Sequence, residues 1–187
     1  MNPTMKRFQK FHGTPFILSI FLIIADQVTK AWVVATIPQG TVRYSFLSDF
    51  LWICHVRNSA VGFSLGDSLP VIAKQILFIV VPLLLMGVLV VFLIRSKELS
   101  TFQRWMLAGI VGGGLGNLVD RIFRPEWVVD FVSVRVYGFL GFERWPTFNV
   151  ADASIVVTGI LLMIHLLFFD SRLHRKTTET PKEVSHE

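Results

Sequence analysis

Four long apolar runs limit what this chain can fold into more than any other feature. They cover residues 14–36, 70–94, 105–122 and 149–169. About 20 apolar residues in a helix cross the hydrocarbon core of a bilayer. In lipid a spanning segment must satisfy its own backbone hydrogen bonds, which leaves the helix as the form for isolated runs of this length. Only 17% of the 187 residues are charged, whereas a soluble domain carries about a quarter. The expected fold class is an all-α integral membrane protein with four transmembrane helices. One domain over residues 1–170 and a disordered polar tail over 171–187 complete the plan.

Cations set the expected topology. The basic lead, the turn after the second run and the tail hold 3, 3 and 4 Lys or Arg. Segments rich in Lys and Arg stay on the cytoplasmic side. Both termini are therefore expected inside, with segments 37–69 and 123–148 outside. The net charge of +5 belongs to this topology and does not point to nucleic acid. The first run follows Lys6, Arg7 and Lys10 without a clear cleavage site, and reads as a retained anchor. In the first outer segment the run LWICHV is β-prone, and a small sheet at the membrane surface is expected. The second outer segment, with Trp127, Tyr137 and Trp145, reads as an amphipathic interfacial loop. Pro82 is expected to kink the second span. Gly109 and Gly113, and Gly112 and Gly116, make a face that another helix can approach closely.

Four carboxylates converge at one depth in this topology. Asp26 lies in the outer half of span one, Asp120 ends span three, Asp130 comes next in the outer segment, and Asp152 starts span four. Ionisable groups at such depth are costly and mark function. Two neighbouring carboxylates can share one proton, so that one activates water while the other polarises a carbonyl. Asp26 has Lys30 four residues on, a spacing that lets them pair, and Asp120 is followed by Arg121. Asp130 sits among Val128, Val129, Phe131 and Val132, and Asp152 between Ala151 and Ala153. Apolar flanks raise a carboxyl pKa, as a shared-proton pair requires. Elimination selects Asp130 and Asp152. A plainer role for Asp152 is to cap the fourth helix near its positive end.

Other chemistries fit less well. A Ser/Lys pair would use Ser64 with Lys30 or Lys74, but Lys30 already has Asp26. The five His are scattered without an HExxH, and His165 reads as a packed residue; no metal or cofactor is expected. The single Cys54 excludes an internal disulfide and reads as a small buried apolar residue. Gly112–Gly114 is not a phosphate loop, since no Lys-Ser/Thr comes after it. A transporter or proton-relay protein is the alternative, but it would spread polar residues through the membrane depth. A non-catalytic scaffold would leave the paired acids unexplained.

The chain resembles the prolipoprotein signal peptidases (signal peptidase II). The resemblance rests on DQVTK (26–30), RNSAVGFS (57–64), GGLGNLVDR (113–121), VVDF (128–131) and FNVAD (148–152). It implies an aspartic endopeptidase of the bacterial inner membrane. Such an enzyme removes the signal peptide from diacylglyceryl-modified prolipoproteins, cutting before the lipidated cysteine. The family's catalytic pair falls on Asp130 and Asp152, and its supporting or substrate-contacting positions on Asp26, Lys30, Asn58, Asn117, Asp120, Arg121 and Asn149. The resemblance also implies a β-cradle near residues 40–65, a mobile periplasmic helix within 123–146, and inhibition by globomycin. The chain departs from the family's N-x-G-A-A-F at Asn58–Phe63, where it reads NSAVGF.

Overall fold

A computed structural model describes residues 13–58, 70–124 and 128–169. The departure at Ala60–Gly62, Ser64, Trp127, the basic lead and the tail lie outside the described residues. Among the described residues, four helices are long and apolar enough to cross a membrane, and a three-stranded antiparallel sheet stands beside them.

Helix α1 spans Phe16–Thr36. The second span runs as α2 (Val71–Gln75), a π-helical turn (Ile76–Val80) and α3 (Val81–Arg95). Pro82, expected to kink this span, sits in the first turn of α3. The irregularity lies in the turn before it, where the Val81 amide reaches back five residues to the Ile76 carbonyl. Proline has no N–H to offer the carbonyl four residues earlier, and a widened turn accommodates that loss.

Helix α4 spans Thr101–Phe123 and begins before the expected 105. Ser100 and Gln103 form a capping box that fixes the earlier start. Arg104, counted as a loop cation, is therefore a buried helix residue that donates to the Leu93 and Ser96 carbonyls at the end of α3. Leu93, Leu107, Ala108 and Val111 form a core where α3 meets α4. Helix α5, Val150–Phe168, closes the bundle. His165 on it packs against Phe102 and Phe169.

Helix α4 is the central member, and its glycines decide how closely its neighbours approach. A Cβ on Gly112 would meet the Ser19 backbone of α1 at 2.8 Å, and one on Gly113 the Ala151 carbonyl of α5 at 2.5 Å. Gly109 abuts Thr158 of α5, and Gly116 abuts both Asp26 and Ala151. Gly113→Ala is accordingly expected to destabilise the protein by about 1–3 kcal/mol, because the obstacle is backbone. Gly87→Ala has open space around its Cβ and is expected to be neutral or to stabilise slightly. Thermal unfolding in detergent compares the two, and equal melting points would contradict this packing.

The sheet sets the second half of the site. Strand β1 (Val42–Phe46) pairs with β2 (Leu51–Asn58), and β2 pairs with β3 (Val128–Val134). The segment read as a loop around Asp130 is thus a strand, because VVDFVSV is rich in β-branched residues and finds a partner in β2. The interfacial helix implied for 123–146 is not formed among the described residues; beyond β3 only a three-residue 3₁₀ turn, Phe139–Gly141, occurs. Between β2 and β3 the register shifts from Ile53↔Val132 to Val56↔Asp130. That bulge buries both Cys54 and His55, and the His55 Nδ1 hydrogen-bonds the Ile37 carbonyl just past α1 at 2.8 Å. It also shifts the side-chain phase by one residue, so that Asn58 rather than Arg57 shares a face with Asp130. On the other face of β3, Val129 and Phe131 pack against Val33 and Ile37.

Candidate active site

Every candidate side chain lies where the end of α4, the start of α5, the middle of α1 and the edges of β2 and β3 meet. Asp26 sits near the middle of α1 and accepts the Ala151 amide of α5 at 3.0 Å. Helix α1 runs on for six residues past Lys30, about 9 Å at 1.5 Å per residue. The cluster is therefore sunk below the end of that helix, and β3 covers it from above.

Lys30 is fully buried, and its three N–H bonds all have acceptors. They go to Asp26 Oδ2 at 2.8 Å, Asp120 Oδ2 at 2.9 Å and Asn117 Oδ1 at 3.0 Å. Buried charges persist only when paired and hydrogen-bonded in this way. Asp120, also fully buried, holds both ends of the connection from α4 to β3. Its Oδ1 accepts Arg124 Nε at 3.1 Å and its Oδ2 accepts the Val129 amide at 3.2 Å. Gln27 joins the same cluster, donating to Asp120 Oδ1 and the Gly116 carbonyl, each at 3.0 Å. Its own oxygen accepts Arg124 at 3.3 Å.

The backbone places Asp130 and Asp152 near each other through Asn149. Phe148 bridges to Val132 beside β3, which seats Asn149 as the N-cap of α5 against that strand. Asn149 and Asp152 form a capping box: Asn149 Oδ1 accepts the Asp152 amide at 2.9 Å, and Asp152 Oδ2 accepts the Asn149 amide at 3.2 Å. The helix-capping role for Asp152 is thus real and is filled by one of its oxygens. Its Oδ1 accepts Asn117 Nδ2 at 2.7 Å. Asp130 accepts Asn149 Nδ2 at 2.7 Å on one oxygen and Asn58 Nδ2 at 2.9 Å on the other. Burial first, and then the Asp152 charge, push the Asp130 carboxyl up to about 7 from its ordinary 3.8.

The structure brings Asp26, Lys30, Asn58, Asn117, Asp120, Asp130, Asn149 and Asp152 into one hydrogen-bonded network. One inference from adjacency is corrected. Asp120 takes its cations from Lys30 and Arg124, while Arg121 acts electrostatically on Asp152 first, then Asp130, then Asp120. Consecutive helix residues point about 100° apart, so sequence neighbours on a helix do not face each other. Gln27 and Arg124 were missed as network members. Gln27 carried a visible signal, a second polar residue beside Asp26 in an apolar run. Arg124 carried one as well, its spacing of four from Asp120, the same that pairs Asp26 with Lys30. Among the described residues, no group of three or more His, Cys, Asp or Glu is arranged to hold a metal ion.

Fold and polar cluster together describe a multi-pass membrane enzyme with the side chains of a carboxylate-based hydrolase. Comparisons agree with this class and narrow it. The family model for signal peptidase (SPase) II matches residues 18–168. The lipoprotein signal peptidase of Treponema denticola is 44% identical, covering 85% of this chain and 91% of that protein. That of Treponema pallidum is 39% identical over 87% and 88%. A solved bacterial membrane enzyme superposes with a TM-score of 0.70 at 28% identity, over 84% of this chain and 94% of its own. The chain belongs to the signal peptidase II family.

Proposed function

We propose that this protein is a membrane aspartic endopeptidase that removes the signal peptide from diacylglyceryl-modified prolipoproteins, with Asp130 and Asp152 as the catalytic pair. The observation that carries the reading is the Asn149 bridge. One capping residue holds the backbone of Asp152 and the carboxyl of Asp130 at once, with two neutral amides completing the pair's donors. The pair holds one proton between its members. The ionised carboxylate takes a proton from water, and the hydroxide oxygen bonds to the scissile carbonyl carbon. The protonated partner hydrogen-bonds the developing oxyanion. Collapse breaks the C–N bond, and the amine of the lipidated cysteine leaves with a proton from the pair.

Topology supports a lipid-borne substrate. The Lys and Arg of the lead, of the α3–α4 turn (Arg95 and Lys97) and of the tail support a topology with both termini in the cytoplasm and the sheet end at the outer face of a bacterial inner membrane. The acids cluster at that end rather than through the whole depth, unlike a proton relay. The outward faces of α1, α3 and α5 are apolar and exposed, so acyl chains can lie along them in lipid while the scissile bond reaches the sunken pair. Arg121 and Asn58 would hold substrate or lipid-ester carbonyls by hydrogen bonds. A globomycin-type cyclic peptide would compete for the same place. The test is cleavage of a diacylglyceryl precursor by purified protein in detergent. Cutting before the lipidated cysteine supports the reading, and an inert wild type on that precursor sinks it.

The shared proton gives a pH prediction. Loss of the proton as pH rises through about 7 should lower kcat/KM on the alkaline side, where the profile reports the free enzyme. Folding responds with a definite sign. Between about 4 and 7 the native state binds more protons than the unfolded chain at Asp130, so its contribution to stability falls as pH rises through that window. Asp130→Asn should flatten this slope in a series of melting points. A slope unchanged by the substitution would place the titration elsewhere.

A further inference from the structure

Resting on the reading of Asp130 and Asp152 as the working pair, the hydrogen-bond directions in the network separate their roles. Lys30 has only donors, so the Asn117 side chain must turn its oxygen toward it. That oxygen accepts Lys30 Nζ at 3.0 Å and Asn149 Nδ2 at 3.1 Å. The Asn117 amide nitrogen is left to face Asp152 Oδ1 at 2.7 Å. The amide orientation is thus dictated by the chemistry of its neighbours rather than by a choice between O and N. A cation at the head of a hydrogen-bonded chain polarises every donor below it.

The surroundings of the two acids differ in the same sense. Asp152 is half-buried, lies in the first turn of α5 at the positive end of the helix, and is the first electrostatic partner of Arg121. Asp130 is 1% exposed on a strand. The charged or titratable groups around it are Asp152 from α5, Lys30 from α1, Arg121 from α4 and Cys54 from β2. We infer that Asn117, oriented by Lys30, is a positioning residue that makes Asp152 the ionised base and leaves Asp130 as the proton-bearing acid. Asp152 therefore takes the proton from the attacking water, while Asp130 donates to the carbonyl oxygen of the scissile bond.

The experiment is the pH profile of kcat/KM for full-length Asn117→Ala in detergent, beside wild type. Losing a donor to the ionised member of the pair should raise the acid limb of the profile by about one to two pH units. The alkaline limb, set by Asp130, stays in place. A shift confined to the alkaline limb reverses the roles and overturns the inference. A uniform loss at all pH values shows a merely structural Asn117 and overturns it equally. For a variant too slow to profile, infrared titration of the carboxylic-acid carbonyl stretch reads the same group. Asn117→Ala should show, below the acid band that Asp130 keeps up to about pH 7, a second acid band more persistent than in wild type and absent from Asn117→Ala/Asp152→Asn. The lack of such a band overturns the inference without reference to activity. An inert wild type would instead count against the peptidase reading, and the infrared result would still decide the role of Asn117.

Discussion

Asp130→Asn and Asp152→Asn should each lower kcat by about 10³-fold or more, in the upper part of the range for acid–base groups. Asn keeps the size of the side chain and removes the ionisation. The two losses should not add, because a pair that shares one proton works as a unit, and the double variant should be no worse than the poorer single. Stability should change far less. Asp152 uses both oxygens as acceptors, from the Asn117 side chain and the Asn149 amide. An Asn there has one oxygen to offer, so about 1 kcal/mol should be lost. Asp130→Asn likewise leaves one of two donors, Asn58 or Asn149, facing an NH₂. Rates on a diacylglyceryl precursor, beside melting points, make the comparison. Retention of a tenth of wild-type activity by either single variant would move the chemistry to other acids, Asp26 and Asp120 first.

Lys30→Met should be the most destabilising single substitution in the bundle, at about 3–5 kcal/mol. Asp26 and Asp120 are both fully buried, and Lys30 lies between them at 2.8 and 2.9 Å. Without it, among the described residues, Arg124 at the edge of the cluster is the one cation left paired with Asp120. For a chain of this size that corresponds to a fall in Tm of roughly 10 °C. The cluster of Asp26, Asp120, Lys30 and Arg124 is formally neutral. Lys30→Met/Asp26→Asn restores that balance and should recover a large part of the loss, an interaction a double-mutant cycle measures directly. If Lys30→Met melts within a degree or two of wild type, the buried ion cluster does not organise the bundle. The alkaline fall of activity, the Gly113 and Gly87 contrast and the Asn117 profile test the remaining links.

Much of this architecture could be read in advance. The run LWICHV announced β2, and the glycines of α4 announced close packing on two sides. The flanks of Asp130 and Asp152 set them apart from Asp26 and Asp120, and Asn149 joins the two in one hydrogen-bonded network. Other parts were hidden. The third strand could not be seen in VVDFV, because a short apolar run becomes a strand only when an edge is free to pair with it. Lys30 as a partner of Asp120 was hidden because ion pairs between helices depend on face and depth, whereas Arg124, four residues on, was legible from its spacing. The cap expected of Asp152 is formed, and it does not exclude the proposed role in the pair, since a carboxylate has two oxygens and α5 takes only one.

By itself, the sequence determined the features that local chemistry dictates. Apolar runs longer than a bilayer is thick must be helices, Asp26 and Lys30 at a spacing of four must share a face, and Asp152 at the start of the fourth span can cap it. Only the tertiary structure decided which donor meets which oxygen. The bulge in β2 chose Asn58 over Arg57, the glycines of α4 set how near α1 and α5 could come, and the bridge at Phe148 brought the cap of one helix against a strand. Those choices depend on long-range register and on the approach of backbones. No residue carries them alone, because each is a property of two segments in contact.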